Sequence, residues 1–147
     1  MHTLMERDSR AVQCATLSWL LVGDIREMLQ DHLDEEALQW LRPILDALIQ
    51  AMCEQAQLEE SPGYFDDVLS SFPHWSPIVD RIHAEQSTLC RSLEALRHRI
   101  DRDLPFRRLA DELELELADW VRLMTDHSDR ERELMQNVYY TEIGGEG

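Results

Sequence analysis

Glycine and proline mark where a chain must turn or break, and here they fall in a few clusters. Five glycines and five prolines occur in 147 residues. Apart from Gly23 and Pro43, they sit in "SPG" at 61–63, "PHWSP" at 73–77, Pro105 and the terminal "IGGEG". Long stretches are left without breakers, and none shows the two-residue alternation of a strand. Apolar residues recur instead at steps of three and four, the period of a helix with one buried face. The chain therefore reads as all-α.

Four segments carry this pattern, at about 7–31, 35–60, 77–101 and 105–141. Asp34 is placed to cap the second, with Glu35 and Glu36 in a first turn that favours negative charge. Pro43 is expected to kink that helix or split off its start. Ser76–Pro77 opens the third, and Asp103, Leu104 and Pro105 repeat the signal for the fourth. The sequence "YFDDVLSSF" at 64–72 offers a short extra helix between the second and third, and 73–77 a loop. Short first and last connections force antiparallel neighbours. The expected architecture is an up-down-up-down antiparallel four-helix bundle spanning 1–142, with 143–147 a flexible tail.

Each helix should bury one stripe. The second runs through Leu38, Leu41, Leu45, Leu48 and Met52, then meets Gln55 and Glu59 in phase. The third runs Val79, Ile82, Gln86, Leu89, Leu93, Leu96 and Ile100. The fourth runs Phe106, Ala110, Leu113, Leu117, Trp120 and Met124, meets His127 and Glu131, and resumes at Leu134 and Val138. The first is less regular. Leu17, Leu20, Leu21 and Met28 are apolar, while Gln13, Cys14 and Asp24 share or flank the phase. Polar groups thus interrupt at least three inner faces. A buried carboxylate without a partner costs several kcal/mol, so such a layer needs water, a charged partner or a metal ion.

In helix order, length and stripe phase, nearly the whole chain resembles the hemerythrin-like (HHE cation-binding) family. That family is a four-helix bundle holding a non-haem di-iron site. Its ligands are a histidine from the first helix, His-x-x-x-Glu from the second, a histidine from the third often written Glu-His, and His-x-x-x-Glu from the fourth. Here His127 and Glu131 match in full. Glu59 matches on the second helix, with Gln55 in the histidine place. In "AEQ" at 84–86, Gln86 follows Glu85 where a histidine would stand. The first helix has no histidine; Gln13, Cys14 or no residue fills that role. His83, beside the stripe, is either a substitute ligand or a half-exposed flanking histidine. The resemblance implies a degenerate site: one divalent cation, iron or another, held by Glu59, His127 and Glu131 with help from Gln55, Gln86 and His83. Sensing or storage is expected rather than oxygen transport. The alternative is a metal-free bundle in which these groups form a polar layer.

Other features set bounds. The net charge is −16, with arginine as the only basic residue besides histidine. Such a field disfavours nucleic acid and anionic membranes and suits cations or a basic protein partner. No leader or membrane span is evident; "LSWLLV" at 17–22 is far below the roughly 18–20 residues a span requires. Cys14, Cys53 and Cys90 have no metal-type spacing and read as small buried hydrophobes of a reduced, cytoplasmic protein. Phosphate-loop, Ser-His-Asp and CxxC patterns are absent. Carboxylate-rich bundles support oxygen chemistry when two metals are present, but the missing histidines set that third alternative aside, so no enzyme is expected. The acidic run "DELELE" at 111–116 reads as a solvated face, and His32, His74 and His98 as solvated. Trp19, Trp40, Trp75 and Trp120 read as core or bundle-end packing, while Tyr139 and Tyr140 are placed to close the bundle or face a partner.

Overall fold

The computed structural model describes residues 4–60, 73–102 and 106–144. Among them are four α-helices, α1 (Leu4–Gln30), α2 (Glu35–Glu60), α3 (Ser76–Arg102) and α4 (Phe106–Gly144), and no strand. The expected helix at 64–72, the start signal at 103–105, residues 145–147 and His2 lie outside the described residues. So do the side chains of Trp75, Phe106, Val138, Tyr139 and Tyr140. The expected loop at 73–77 is instead a short 3-10 turn, Pro73–Trp75, running directly into α3. Ile143 and Gly144, read as tail, belong to α4.

Packing follows chain order. α1 contacts α2, α2 contacts α3, α3 contacts α4, and α1 closes the bundle against α4. Between α2 and α3 and between α3 and α4, contacts step up one helix and down the other. Asp46 meets Arg97 and Met52 meets Gln86 between α2 and α3. Arg99 meets Glu112, Leu89 meets Trp120, and Glu85 meets His127 between α3 and α4. These two pairs therefore run antiparallel. The turn after α1 places His32 at φ 61°, a left-handed conformation suited to leaving a helix. Asp34 then caps α2, its Oδ1 accepting the Ala37 N–H at 2.7 Å.

α2 continues through Pro43 as one helix, so the proline does not split off a separate first segment. Pro43 is exposed, as is Gln39, whose carbonyl loses its helical donor, so water can satisfy that group. Leu41 and Leu45, both fully buried, anchor the helix on either side.

The stripes of α2, α3 and α4 are buried as expected, from Leu38 to Met52, Val79 to Ile100 and Ala110 to Met124. Trp120 is in the core, where its indole N–H donates to the Leu89 carbonyl at 2.9 Å. Trp40 is exposed and Trp19 half-exposed, so neither is core packing. α1 also differs. Its buried line is Ala11, Cys14, Ser18, Val22 and Ile25, while Leu17 and Leu20 face outward. Apolar residues surround much of this helix, so its inner face is not set by hydrophobicity alone. No described helix is long and apolar enough to cross a membrane.

Candidate functional site

Four polar residues interrupt the core where the stripes are broken: Gln55, Glu59, Gln86 and His127, with His127 only 1% exposed. Glu131, one turn beyond His127, and His83 are partly buried. The antiparallel register brings these side chains to one height. Nε2 of His127 lies 3.6 Å from Oε2 of Glu131. Nε2 of His83 lies 3.9 Å from Oε2 of Glu59. Gln55 stands between these two pairs. Its amide donates to Oε1 of Glu59 at 3.0 Å and to Oε1 of Glu131 at 3.4 Å. Gln86 donates to the Met52 carbonyl at 3.3 Å. All six candidate residues thus fall into one layer, with His83 joined to it through Glu59.

The first helix contributes differently from expectation. Gln13 is exposed. Cys14 is buried, but in a groove with Arg10 and Glu54 on the α2 side. Burial, and next the Glu54 carboxylate, raise its thiol pKa, so it is a poor thiolate donor. The polar group that α1 presents to the layer is Ser18, which sequence reasoning missed. A serine between Cys14 and Val22 gives no signal until the azimuth of α1 is known.

A second missed residue is Glu85. Its Oε2 lies 3.1 Å from Nδ1 of His127 and 2.6 Å from Nη2 of Arg130. Burial alone would raise its pKa, but the hydrogen bonds from Arg130 and His127 together lower it. Glu85 is therefore a carboxylate acceptor facing Nδ1 of His127, which leaves Nε2 as the ring nitrogen turned toward the layer. Being next to Gln86 in sequence, Glu85 could have been found by asking which group orients His127.

A cleft of about 420 Å³ opens between α1 and α4 above this layer. Val12, Ala15, Trp19, Val22 and Met124 form apolar walls, and Gln55, Gln86, His127 and Glu131 its polar side. Three buried atoms of cleft-lining residues lack a hydrogen-bond partner: Ser18 Oγ, Gln86 Oε1 and His127 Nε2. Gln86 Oε1 can only accept, and Ser18 Oγ can accept as well as donate, so a cation or a hydrogen-bond donor suits them. Arg132 stacks over Trp19 at the rim, 5.5 Å from the ring centroid.

The donor set does not fit two irons. Each half of the layer supplies one imidazole and one carboxylate, and the Gln55 amide stands between the two carboxylates as a hydrogen-bond donor to both. Among the described residues, the only three His, Cys, Asp or Glu side chains whose ligand atoms converge within 4.8 Å are Cys53, Cys90 and Glu94. They lie between α2 and α3 and were read from sequence only as packing. The acidic run is also less free than expected. Glu112 and Glu116 pair with Arg99, and Glu114 accepts the Leu33 N–H.

No protein-family model, curated protein or solved structure matches this chain.

Proposed function

We propose that this four-helix bundle binds a single divalent cation at a degenerate hemerythrin-like site, for sensing or storage rather than catalysis or oxygen carriage. The observation that carries the reading is His127. Its Nδ1 is held on the Glu85 carboxylate, while its Nε2, buried and without a hydrogen-bond partner, lies beside Glu131. Metal-binding imidazoles are oriented in this way by an outer carboxylate. Glu131 and Gln86 Oε1 would supply further oxygens, Glu59 and His83 the far side of the layer, and water the remaining positions. Such a mixed set of one or two imidazoles and oxygen donors suits Fe²⁺ or Mn²⁺.

The test is metal loading of stripped protein with Fe²⁺ or Mn²⁺ under reducing conditions. One equivalent should bind and raise the melting temperature, and His127→Ala should abolish both effects. No uptake, or uptake indifferent to His127→Ala, removes the proposal.

The Gln55 bridge favours a second reading. An amide donating to two carboxylates can hold them together without metal, so the layer would fix helix register in a metal-free interaction module. The acidic exterior would then meet a basic protein surface. On this reading His127→Leu folds, and is as stable as the parent or more so.

A further inference from the structure

We propose that Cys53, Cys90 and Glu94 form a separate site for a thiophilic divalent cation, with Zn²⁺ as its type. Cys90 and Glu94 are one turn apart on the same face of α3, and Cys53 approaches from α2 in the register that pairs Asp46 with Arg97. The two sulfurs are 3.2 Å apart. Oε1 of Glu94 lies 3.9 Å from Sγ of Cys53 and 3.8 Å from Sγ of Cys90. A tetrahedral zinc ion, with Zn–S of about 2.3 Å and Zn–O of about 2.0–2.2 Å, separates two sulfurs by about 3.8 Å and sulfur from oxygen by about 3.5 Å. Each observed edge is within about 0.6 Å of that figure. Small side-chain adjustments therefore enclose the ion.

The chemistry of the donors selects the ion. Two thiolates and one carboxylate favour a borderline-soft cation over Mg²⁺, Ca²⁺ or Mn²⁺. Cys90 is buried and Cys53 partly so, while Glu94 is exposed, so the site opens to solvent and a water can supply the fourth ligand. Both sulfurs are free thiols. Burial first, then the neighbouring Cys53 thiol and Glu94, push the Cys90 pKa up to about 12, so its proton is held until a cation replaces it. Binding follows Zn²⁺ + 2 RSH → Zn(SR)₂ + 2 H⁺, with Glu94 adding one carboxylate oxygen. Protons leave as the ion binds, so affinity rises with pH.

The site is independent of the His127 layer, and thiolate spectroscopy separates the two. Co²⁺ titrated into the reduced full-length chain should give one equivalent with a near-ultraviolet thiolate-to-cobalt charge-transfer band and the strong visible bands of tetrahedral geometry. Zn²⁺ should displace it and protect Cys53 and Cys90, but not Cys14, from alkylation. Cys53→Ser and Cys90→Ser should abolish the band and Glu94→Gln weaken it. His127→Ala and Cys14→Ser should leave it unchanged. Absence of the band in the parent chain, or its survival in both single cysteine variants, overturns the proposal. Should the cysteine variants not fold, the alkylation map of the parent decides: unprotected Cys53 and Cys90 in the presence of Zn²⁺ refute it.

Discussion

Nδ1 of His127 on α4 lies 3.1 Å from Oε2 of Glu85 on α3, and the same oxygen is 2.6 Å from Nη2 of Arg130. Glu85 is thus shared between a buried ring and a more exposed guanidinium. The arginine keeps the carboxylate ionised, and the carboxylate fixes which ring nitrogen of His127 carries the proton. The other ring nitrogen faces Glu131 and the cleft.

Removing that outer partner should weaken cation binding without unfolding the bundle. Glu85→Ala leaves His127 in place but unoriented, and the loss expected for an outer-shell carboxylate is about 10–100-fold in affinity. Competition titration with Mn²⁺ on stripped protein measures it. An affinity equal to that of the parent would show that His127 is not a ligand.

Acid should destabilise the protein through the same carboxylate. The folded pKa of Glu85 is below its ordinary value of 4.5, despite burial, because Arg130 and His127 hold the ionised form. The unfolded state therefore takes up the proton first. The stability it contributes is complete above about pH 4.5 and is lost as pH falls through the lower folded value. Urea midpoints between pH 6 and pH 3 should fall more steeply for the parent than for Glu85→Ala.

Gln55→Glu distinguishes the two functional readings. The change removes the amide that bridges Glu59 and Glu131 and adds a third carboxyl group between them. Without metal it should cost about 1–3 kcal/mol, the range for a buried polar group left without its partner. With Mn²⁺ present, a cation-binding layer should recover most of that loss. Thermal melts with and without the ion give the answer, and equal losses in both would favour the metal-free layer.

The bundle itself depends on the leucine ladder below the polar layer. Leu45 is fully buried on α2, just past Pro43. Leu45→Ala should cost about 2–5 kcal/mol through lost burial and the cavity left behind. Urea unfolding measures it directly.

The inner faces of α2, α3 and α4 were legible residue by residue, including the interruptions at Gln55, Glu59, Gln86 and His127. Three- and four-residue spacing leaves little choice when one face is leucine-rich and the other charged. α1 was not legible in this way. Leu17 and Leu20 are more hydrophobic than Cys14 and Ser18, yet they face outward while Cys14 and Ser18 face in. With apolar residues distributed around the helix, contacts with α2 and α4 choose its buried side. Pro43 is tolerated inside α2 because it lies on the solvent side.

Period and punctuation in the chain were enough to specify four helices, the inward line of three of them, and the heights at which polar groups interrupt the core. A helical repeat describes one helix at a time and carries no information about its rotation against a neighbour. Packing therefore settled the rest. It set Glu85 against His127, brought Ser18 rather than Gln13 or Cys14 to the polar layer, put Gln55 between two carboxylates, and brought Cys53 of α2 to Cys90 and Glu94 of α3. Each of those meetings depends on the register and azimuth between helices, which are fixed only when their side chains interlock.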